Sequence, residues 1–125
     1  MKFILDTDLV LWWLTDDKRL PRLAREIIED ENNEIVVSMA SMLEIADRVA
    51  GERLKANISE MESSLISEGI TILSLTAQHC AHLATLPPTS DFCDRILVAQ
   101  SQVESVLLLS SDPRLTKFGR SVVTV

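Results

Sequence analysis

The sequence predicts an α/β fold with a central parallel sheet of about five strands flanked by helices. Apolar or β-branched segments of strand length recur along the chain and alternate with segments of helical period. The strand segments are apolar throughout rather than at every second residue, which is typical of strands buried on both faces of a parallel sheet. The predicted strands are KFIL (2–5), EIVVS (34–38), ITILSL (70–75), VLLLS (106–110) and VVTV (122–125).

Segments of helical period fill the intervals between these strands. The first, DLVLWWL, directly follows the first strand, and Pro21 suits the first turn of the next helix. Gly69 marks the end of a helix before the third strand, because glycine commonly ends helices. The predicted helices after the first are 21–30, 41–54, 58–69, 77–86 and 94–105.

Length and composition indicate one domain, residues 1–125, because 125 residues with 46% hydrophobic content can bury a core. The longest apolar runs, VLWWL and VLLL, fall far short of the ~20 residues needed to cross a bilayer. Cys80 and Cys93 lack CxxC spacing and zinc-ligand partners, so we expect reduced thiols. We therefore expect a soluble, unexported cytoplasmic protein that does not associate with membranes.

The net charge of −7 argues against binding nucleic acid through a broad basic face, because Lys and Arg usually supply most of that affinity. A nucleic-acid function would have to depend on a local site. Four acids assigned below to a cation site account for more than half of the net charge. The acidity therefore weakens a nuclease hypothesis without excluding it.

Four acidic residues fall where predicted strands end or neighbouring helices begin. Ligands of open α/β sheets bind at the carboxyl ends of the strands. Asp6 directly follows the first strand, and Asp112 follows the fourth after two serines. Glu44 lies six residues past the second strand, and Asp94 opens the helix that leads into the fourth. These acids are therefore candidates for one shared site.

Each of these acids also has a structural explanation as a helix cap. Asp6 and Asp112 occupy N-cap positions, and Asp91 or Asp94 suits the same role in the last helix. The segment SMLE (41–44) has the pattern of a capping box. For any single acid the cap is the preferred interpretation. The combination favours a site, because independent caps would use Ser, Thr and Asn as readily as Asp.

Carboxylates that converge in one cleft predict a bound cation. Unpaired acids raise one another's pKa values and destabilise a fold unless a cation balances them. A donor set of oxygens without His or Cys favours Mg²⁺ or Mn²⁺, one ion or two. Such an ion makes a water molecule more acidic and stabilises charge on a phosphoryl group. Because the cation supplies positive charge, an acidic protein can bind an anionic substrate in this way.

Four segments, in order, carry a family resemblance: DTDLVLWWLTDDKRL, VSMASMLEIADRVAGERL, LPPTSDFCDRILVAQ and LLSSDPRLTKFG. Together they resemble the PIN-domain toxins of the VapC type, the ribonuclease halves of bacterial and archaeal toxin-antitoxin pairs. The resemblance covers essentially the whole chain. It implies a PIN-like fold and an endoribonuclease that uses Mg²⁺ or Mn²⁺ to hydrolyse RNA phosphodiester bonds.

The resemblance also implies roles for individual residues. The acids that hold the metal and act in catalysis fall on Asp6, Glu44, Asp94 and Asp112, and a hydroxyl that accompanies the fourth acid falls on Ser110. Members of the family generally form homodimers. Their antitoxin, here a VapB-like partner, inserts its C-terminal segment into the pocket.

Three further residues are assigned to support or substrate contact. Asp91 matches a frequent acid of this subfamily, outside direct contact with the metal. Asp8 stands where the family often has His, Ser or Asn, and we expect it to start the first helix or to reach the ion through water. Arg95 is expected to pair with a pocket carboxylate, to contact a substrate phosphate or to form a surface ion pair.

Two residue pairs have competing interpretations. Trp12 and Trp13 could stack on an RNA base, but their apolar helix favours core packing and a dimer surface. His79 and His82, three residues apart, lack a third metal ligand, so we expect them on the surface of their helix.

Two other functions stay open at this point. One is a PIN nuclease that processes RNA or DNA without an antitoxin. The other is a PIN-fold binding module without catalysis, although the four intact acids argue against it.

Overall fold

The computed structural model describes residues 1–88 and 91–125, so two residues of the LPPTSDFCDRILVAQ segment, Thr89 and Ser90, lie outside the described residues. The described ranges contain one sheet of five parallel strands with helices around it, which confirms the predicted α/β class. The strands are β1 (Lys2–Leu5), β2 (Glu34–Ser38), β3 (Thr71–Leu73), β4 (Leu107–Ser110) and β5 (Val122–Thr124). The helices are α1 (Thr7–Leu14), α2 (Arg22–Glu29), α3 (Met39–Ala50), α4 (Ile58–Ser67), α5 (Ala77–Leu83), α6 (Phe92–Glu104) and a 3₁₀ helix (Pro113–Phe118).

The order of strands across the sheet is β3-β2-β1-β4-β5, which places β1 in the centre. Leu5 of β1 lies opposite Val37 of β2 and Leu109 of β4. The residues that follow these three, Asp6, Ser38 and Ser110, therefore lie at the same edge of the sheet. Because β1 runs parallel to both neighbours, the turns that follow these three strands are brought together.

Both faces of the sheet are buried, as the uniformly apolar strands predict. Phe3 and Leu5 contribute to a cluster with apolar side chains of α1, α2, α3 and α4. Ile4, between them in sequence, belongs to a second cluster with side chains of α6. Trp12 and Trp13 are partly buried against the first cluster, in agreement with the packing interpretation. The core thus holds the helices that approach the carboxyl edge of the sheet.

Helix α3 begins at Met39, two residues earlier than the sequence predicts. Ser38 is its N-cap, and the Ser38 hydroxyl accepts a hydrogen bond of 3.0 Å from the amide of Ala40. The capping-box interpretation of segment 41–44 is therefore wrong. Glu44 lies in the second turn of α3, where its carboxylate is not needed to cap the helix.

The surface assignment of His79 is wrong. Its side chain is 2% exposed and closes a capping box at the start of α5. Nδ1 accepts from the Thr76 amide at 3.1 Å, and Nε2 lies 3.3 Å from Oε1 of Glu104 on α6. His82 is partly buried and its Nε2 lies 2.6 Å from Oε1 of Gln102. Both histidines therefore serve the packing of α5 on α6.

Two further boundaries follow from local hydrogen bonds. Strand β3 spans three residues rather than the predicted 70–75, and the Ser74 carbonyl accepts from Nε2 of Gln100 on α6 at 3.4 Å instead. Helix α4 ends before Gly69, which has φ of +77°, as the sequence predicts.

Across the described ranges, none of the helices is both long and apolar enough to span a bilayer.

Candidate active site

The turns at the carboxyl edge of the sheet enclose a polar cavity of about 130 Å³. Side chains that follow β1 and β4, side chains at the starts of α1 and α6, and side chains from the middle and last turn of α3 surround it. Among the described residues its lining includes six carboxylates and two guanidinium groups. The lining residues are Asp6, Thr7, Asp8, Glu44, Arg48, Asp91, Asp94, Ser111, Asp112 and Arg114.

Asp6 is the most firmly held of these acids. It is 6% exposed and caps α1, with Oδ1 accepting from the Leu9 amide at 2.9 Å. Oδ2 accepts from the Ser110 hydroxyl at 2.7 Å and from the Ser111 amide at 3.2 Å. Burial raises the pKa of Asp6, and the hydrogen bonds from Ser110, Leu9 and Ser111 oppose that rise. The orientation of this carboxylate is therefore fixed by the fold.

Asp91 and Asp94 bring two acids to the first turn of α6. Asp91 is the N-cap, and its Oδ1 accepts from the Asp94 amide at 2.9 Å. Burial and the nearby carboxylates of Asp91, Asp6 and Glu44 raise the pKa of Asp94 to about 7. Burial and the neighbouring acids therefore both disfavour the charged form of Asp94.

Glu44 shares an arginine with Asp8. Arg48, one turn further along α3, donates from Nη2 to Oε1 of Glu44 and from Nη1 to Oδ1 of Asp8 at 3.3 Å. Oε2 of Glu44 lies 3.5 Å from the Thr7 hydroxyl, which donates to Ser41 at 3.0 Å. Burial disfavours the charged guanidinium, but Glu44 and Asp8 outweigh it and raise the pKa of Arg48. Arg48 therefore balances two of the carboxylates.

Asp112 is paired with the second arginine of the cavity. Its carboxylate accepts from the Arg114 amide at 2.9 Å and from Nε and Nη2 of Arg114 at 3.0 and 2.8 Å. These contacts hold the pKa of Asp112 below its ordinary value. Because Arg114 is 80% exposed, the pair lies at the open side of the cavity.

The sequence model of one family, the PIN domain, matches residues 3–121. This chain belongs to the PIN-domain family. The match begins at Phe3 in β1 and ends at Ser121, directly before β5, and the acidic cavity lies within it. No curated protein sequence gives a significant match to this PIN domain.

Solved structures share the fold of this PIN domain at low sequence identity. VapBC2 from Rickettsia felis, bound to a DNA fragment from their promoter, superposes with a TM-score of 0.75 at 14% identity and covers 100% of this chain and 98% of its own. A toxin-antitoxin complex from Klebsiella pneumoniae has a TM-score of 0.66 at 14% identity, and the match covers 97% of this chain and 95% of the other. VapBC-1 from nontypeable Haemophilus influenzae has a TM-score of 0.64 at 17% identity, and the match covers 94% of this chain and 92% of the other. These likenesses support the assignment of the fold.

The structure brings most of the proposed site residues of this PIN domain together. Six of them line the cavity, and Ser110 contacts Asp6 from beneath it. Arg95 is the exception, because its Nη2 donates to the carbonyls of Leu83 and Leu86 at 3.2 and 3.4 Å. The Arg95 guanidinium therefore supports the end of α5 rather than a pocket carboxylate. The six lining residues are Asp6, Asp8, Glu44, Asp91, Asp94 and Asp112.

The sequence analysis missed both arginines of the cavity. Arg48 follows Glu44 by four residues, a spacing that places two side chains on the same face of a helix. That signal was present in the sequence. The contact of Arg48 with Asp8 was not readable, because it depends on how α1 packs beside α3. Arg114 was likewise identifiable only as a close neighbour of Asp112.

The donor chemistry of the cavity fits a hard divalent cation, because its unbalanced ligands are carboxylate oxygens. Among the described residues, no group of three or more His, Cys, Asp or Glu side chains is already arranged to hold a metal ion. Arg48 occupies Oε1 of Glu44, and Arg114 occupies both oxygens of Asp112. A cation that used Oε1 of Glu44 or either oxygen of Asp112 would therefore have to compete with an arginine.

Proposed function

We propose that this PIN domain is a metal-dependent endoribonuclease that hydrolyses RNA phosphodiester bonds. The observation that carries the proposal is the charge of the cavity, where six carboxylates face two guanidinium groups. Burial, together with the carboxylates of Asp91, Asp6 and Glu44, raises the pKa of Asp94 to about 7. A fold that tolerates such repulsion at the carboxyl edge of its sheet is best explained by a cation that acts there.

We assign Asp6, Glu44, Asp94 and Asp112 as the residues that hold Mg²⁺ or Mn²⁺. When bound, such an ion supplies positive charge for the phosphate and makes an attacking water more acidic. Asp6 contributes a carboxylate of fixed orientation, because Ser110, Ser111 and Leu9 all donate to it. Membership of the PIN-domain family supports this assignment without identifying the metal.

We assign Asp94 to holding the cation, because a bound cation would favour the ionised carboxylate that burial and the neighbouring acids disfavour in the empty cavity. One of the four acids would also orient the attacking water. Attack by water on the phosphorus breaks the bond to the 3′ oxygen of the preceding nucleotide. The products are a 5′-phosphate and a 3′-hydroxyl, the ends that the VapC resemblance implies.

Purified protein and a 5′-labelled structured RNA test this function. We expect cleavage in Mn²⁺, no cleavage in EDTA, and a loss on the order of a hundredfold or more for Asp6→Asn. Asp47→Asn is the matched control, because Asp47 lies on α3, is 82% exposed and pairs with Arg53 outside the cavity. Cleavage that persists in EDTA or in Asp6→Asn would contradict the mechanism.

We further propose that the nuclease is a cytoplasmic toxin with a VapB-like antitoxin, and that it forms a homodimer. The structures of VapBC2, VapBC-1 and a Klebsiella pneumoniae toxin-antitoxin complex, which share this fold, support the antitoxin partner. Co-expression with the product of the adjacent gene tests it. We expect the two chains to co-purify and RNA cleavage to be suppressed.

The test separates this proposal from the two alternatives. Cleavage without a small DNA-binding protein encoded nearby would favour an RNA- or DNA-processing nuclease. Co-purification with a partner, but no cleavage in Mg²⁺ or Mn²⁺, would favour a PIN-fold binding module.

A further inference from the structure

Arg48 joins the two helices that form one wall of the acidic cavity. It lies in the last turn of α3 and contacts Glu44 on its own helix and Asp8 in the first turn of α1. The side chains of Arg48 and Glu44 are 29% and 24% exposed, whereas that of Asp8 is 49% exposed. One guanidinium therefore has a more buried and a more exposed carboxylate partner.

The two partners differ in what a cation would require of them. Glu44 belongs to the four acids assigned to the metal, but its Oε1 accepts from Arg48. A cation bound to Glu44, through Oε1 or through Oε2, would be repelled by this guanidinium at the same carboxylate. Asp8 already accepts from Nη1 of Arg48 on the solvent side, so the arginine has a second carboxylate on which to remain.

We infer that Arg48 is a counter-ion of the empty cavity. When a divalent cation binds, Arg48 releases Glu44 and keeps its contact with Asp8. Asp8 then serves as the anchor of Arg48 and is not itself a metal ligand. This inference rests on the proposed function, because it assumes a divalent cation among the four acids. It gives a role to Asp8, an acid that stands where the VapC-type resemblance often has a neutral residue.

A retained Arg48 also has a consequence for the substrate. A guanidinium held by Asp8 at the side of the cavity keeps unused N–H donors, which suit the oxygens of a phosphate. The positive charge that balances the empty cavity is therefore kept near it when an anionic substrate arrives.

The dissociation constant of Mn²⁺, measured from the electron paramagnetic resonance signal of the free ion, tests the inference. Arg48→Met removes the competitor, so we expect Mn²⁺ to bind roughly fivefold more tightly, the effect of one nearby charge in a mostly solvated site. Arg48→Gln, a second variant with a polar side chain, should shift the constant in the same direction. Arg53→Met is the matched control, because Arg53 pairs with Asp47 away from the cavity and should leave the constant unchanged.

A double-mutant cycle distinguishes an anchor from a ligand. If Asp8 acts through Arg48, Asp8→Asn weakens Mn²⁺ binding about threefold in the wild-type background and has little effect in the Arg48→Met background. Equal weakening in both backgrounds would mean that Asp8 acts on the ion by direct contact or by its own charge and not through Arg48, which contradicts the inference.

The remaining outcomes separate this inference from the proposed function. If Mn²⁺ binds the wild-type protein and Arg48→Met with the same constant, the counter-ion role is wrong and the nuclease proposal survives. If the wild-type protein binds no Mn²⁺, both are wrong.

Discussion

The Ser110 hydroxyl donates a hydrogen bond of 2.7 Å to Oδ2 of Asp6, which links the end of β4 to the end of β1. The same hydroxyl oxygen accepts from the Asp112 amide at 3.0 Å. Ser110 is fully buried. One serine therefore fixes the carboxylate of one proposed metal-binding residue and the backbone of another.

Ser110→Ala should lower the free energy of unfolding by about 2 kcal/mol at neutral pH, because it removes a buried hydrogen bond to a carboxylate and strands the Asp112 amide. Urea denaturation measures this loss. Ser111→Ala is the control, because Ser111 contacts Asp6 through its backbone amide, which the change retains. We expect a change within about 0.5 kcal/mol for the control. Equal effects for the two variants would show that the Ser110 hydroxyl has no special role.

Asp94→Asn should stabilise the protein in EDTA, and more so at alkaline than at acidic pH. The pKa of Asp94 is about 7 in the folded protein against an ordinary 3.8, so the folded state binds more protons between those values. Stability is therefore lost as the pH rises through this window. Asn carries no charge, and solvent screens the half-exposed carboxylate, so we expect a gain of ~1 kcal/mol at about pH 8.

Thermal unfolding at two pH values measures this effect. A gain of ~1 kcal/mol corresponds to about 4 °C in Tm for a chain of this size, and the gain should nearly vanish at about pH 4. Asp47→Asn, on the exposed side of α3, should show no such pH dependence. A loss of stability in Asp94→Asn at about pH 8 would contradict the proposed repulsion.

Gln100→Leu should destabilise the fold by about 2 kcal/mol, because Gln100 is fully buried and both ends of its amide are used. Oε1 accepts from the Ser38 hydroxyl, which caps α3, and Nε2 donates to the Ser74 carbonyl. The change leaves Ser38 without its acceptor. Gln78→Leu, at an exposed position of α5, is the control and should change stability by no more than about 0.5 kcal/mol. Similar losses of stability in both variants would show that the hydrogen bonds of Gln100 to Ser38 and Ser74 do not stabilise the fold.

The sequence predicted the fold class because its strands are short, apolar and separated by helices, a pattern with few alternatives. It also identified Asp6 and Asp112 at the edge where the cavity lies, since each directly follows a strand or its terminal serines. The start of α3 was predicted wrongly because the sequence pattern favours Ser41 as the cap, whereas Ser38, assigned to the end of the second strand, caps the helix. Only the backbone decides between them.

Side-chain direction was the information that the sequence lacked. His79 was assigned to the surface, yet its ring turns back to cap its own helix and packs on α6. Arg95 follows Asp94 directly but points to the end of α5, because adjacent residues of a helix do not share a face. The spacing of four residues between Glu44 and Arg48 was a signal for their contact, but the contact of Arg48 with Asp8 depends on tertiary packing.

Anomalous diffraction from crystals grown with Mn²⁺ tests most directly whether the acidic cavity is a metal centre. We predict an anomalous peak in the cavity, in contact with Asp6 and Asp94 and lost in a crystal of Asp6→Asn. The Glu44 carboxylate should be released from Arg48 in the same crystal. An empty cavity at saturating Mn²⁺, or a peak that persists unchanged in Asp6→Asn, would contradict the account.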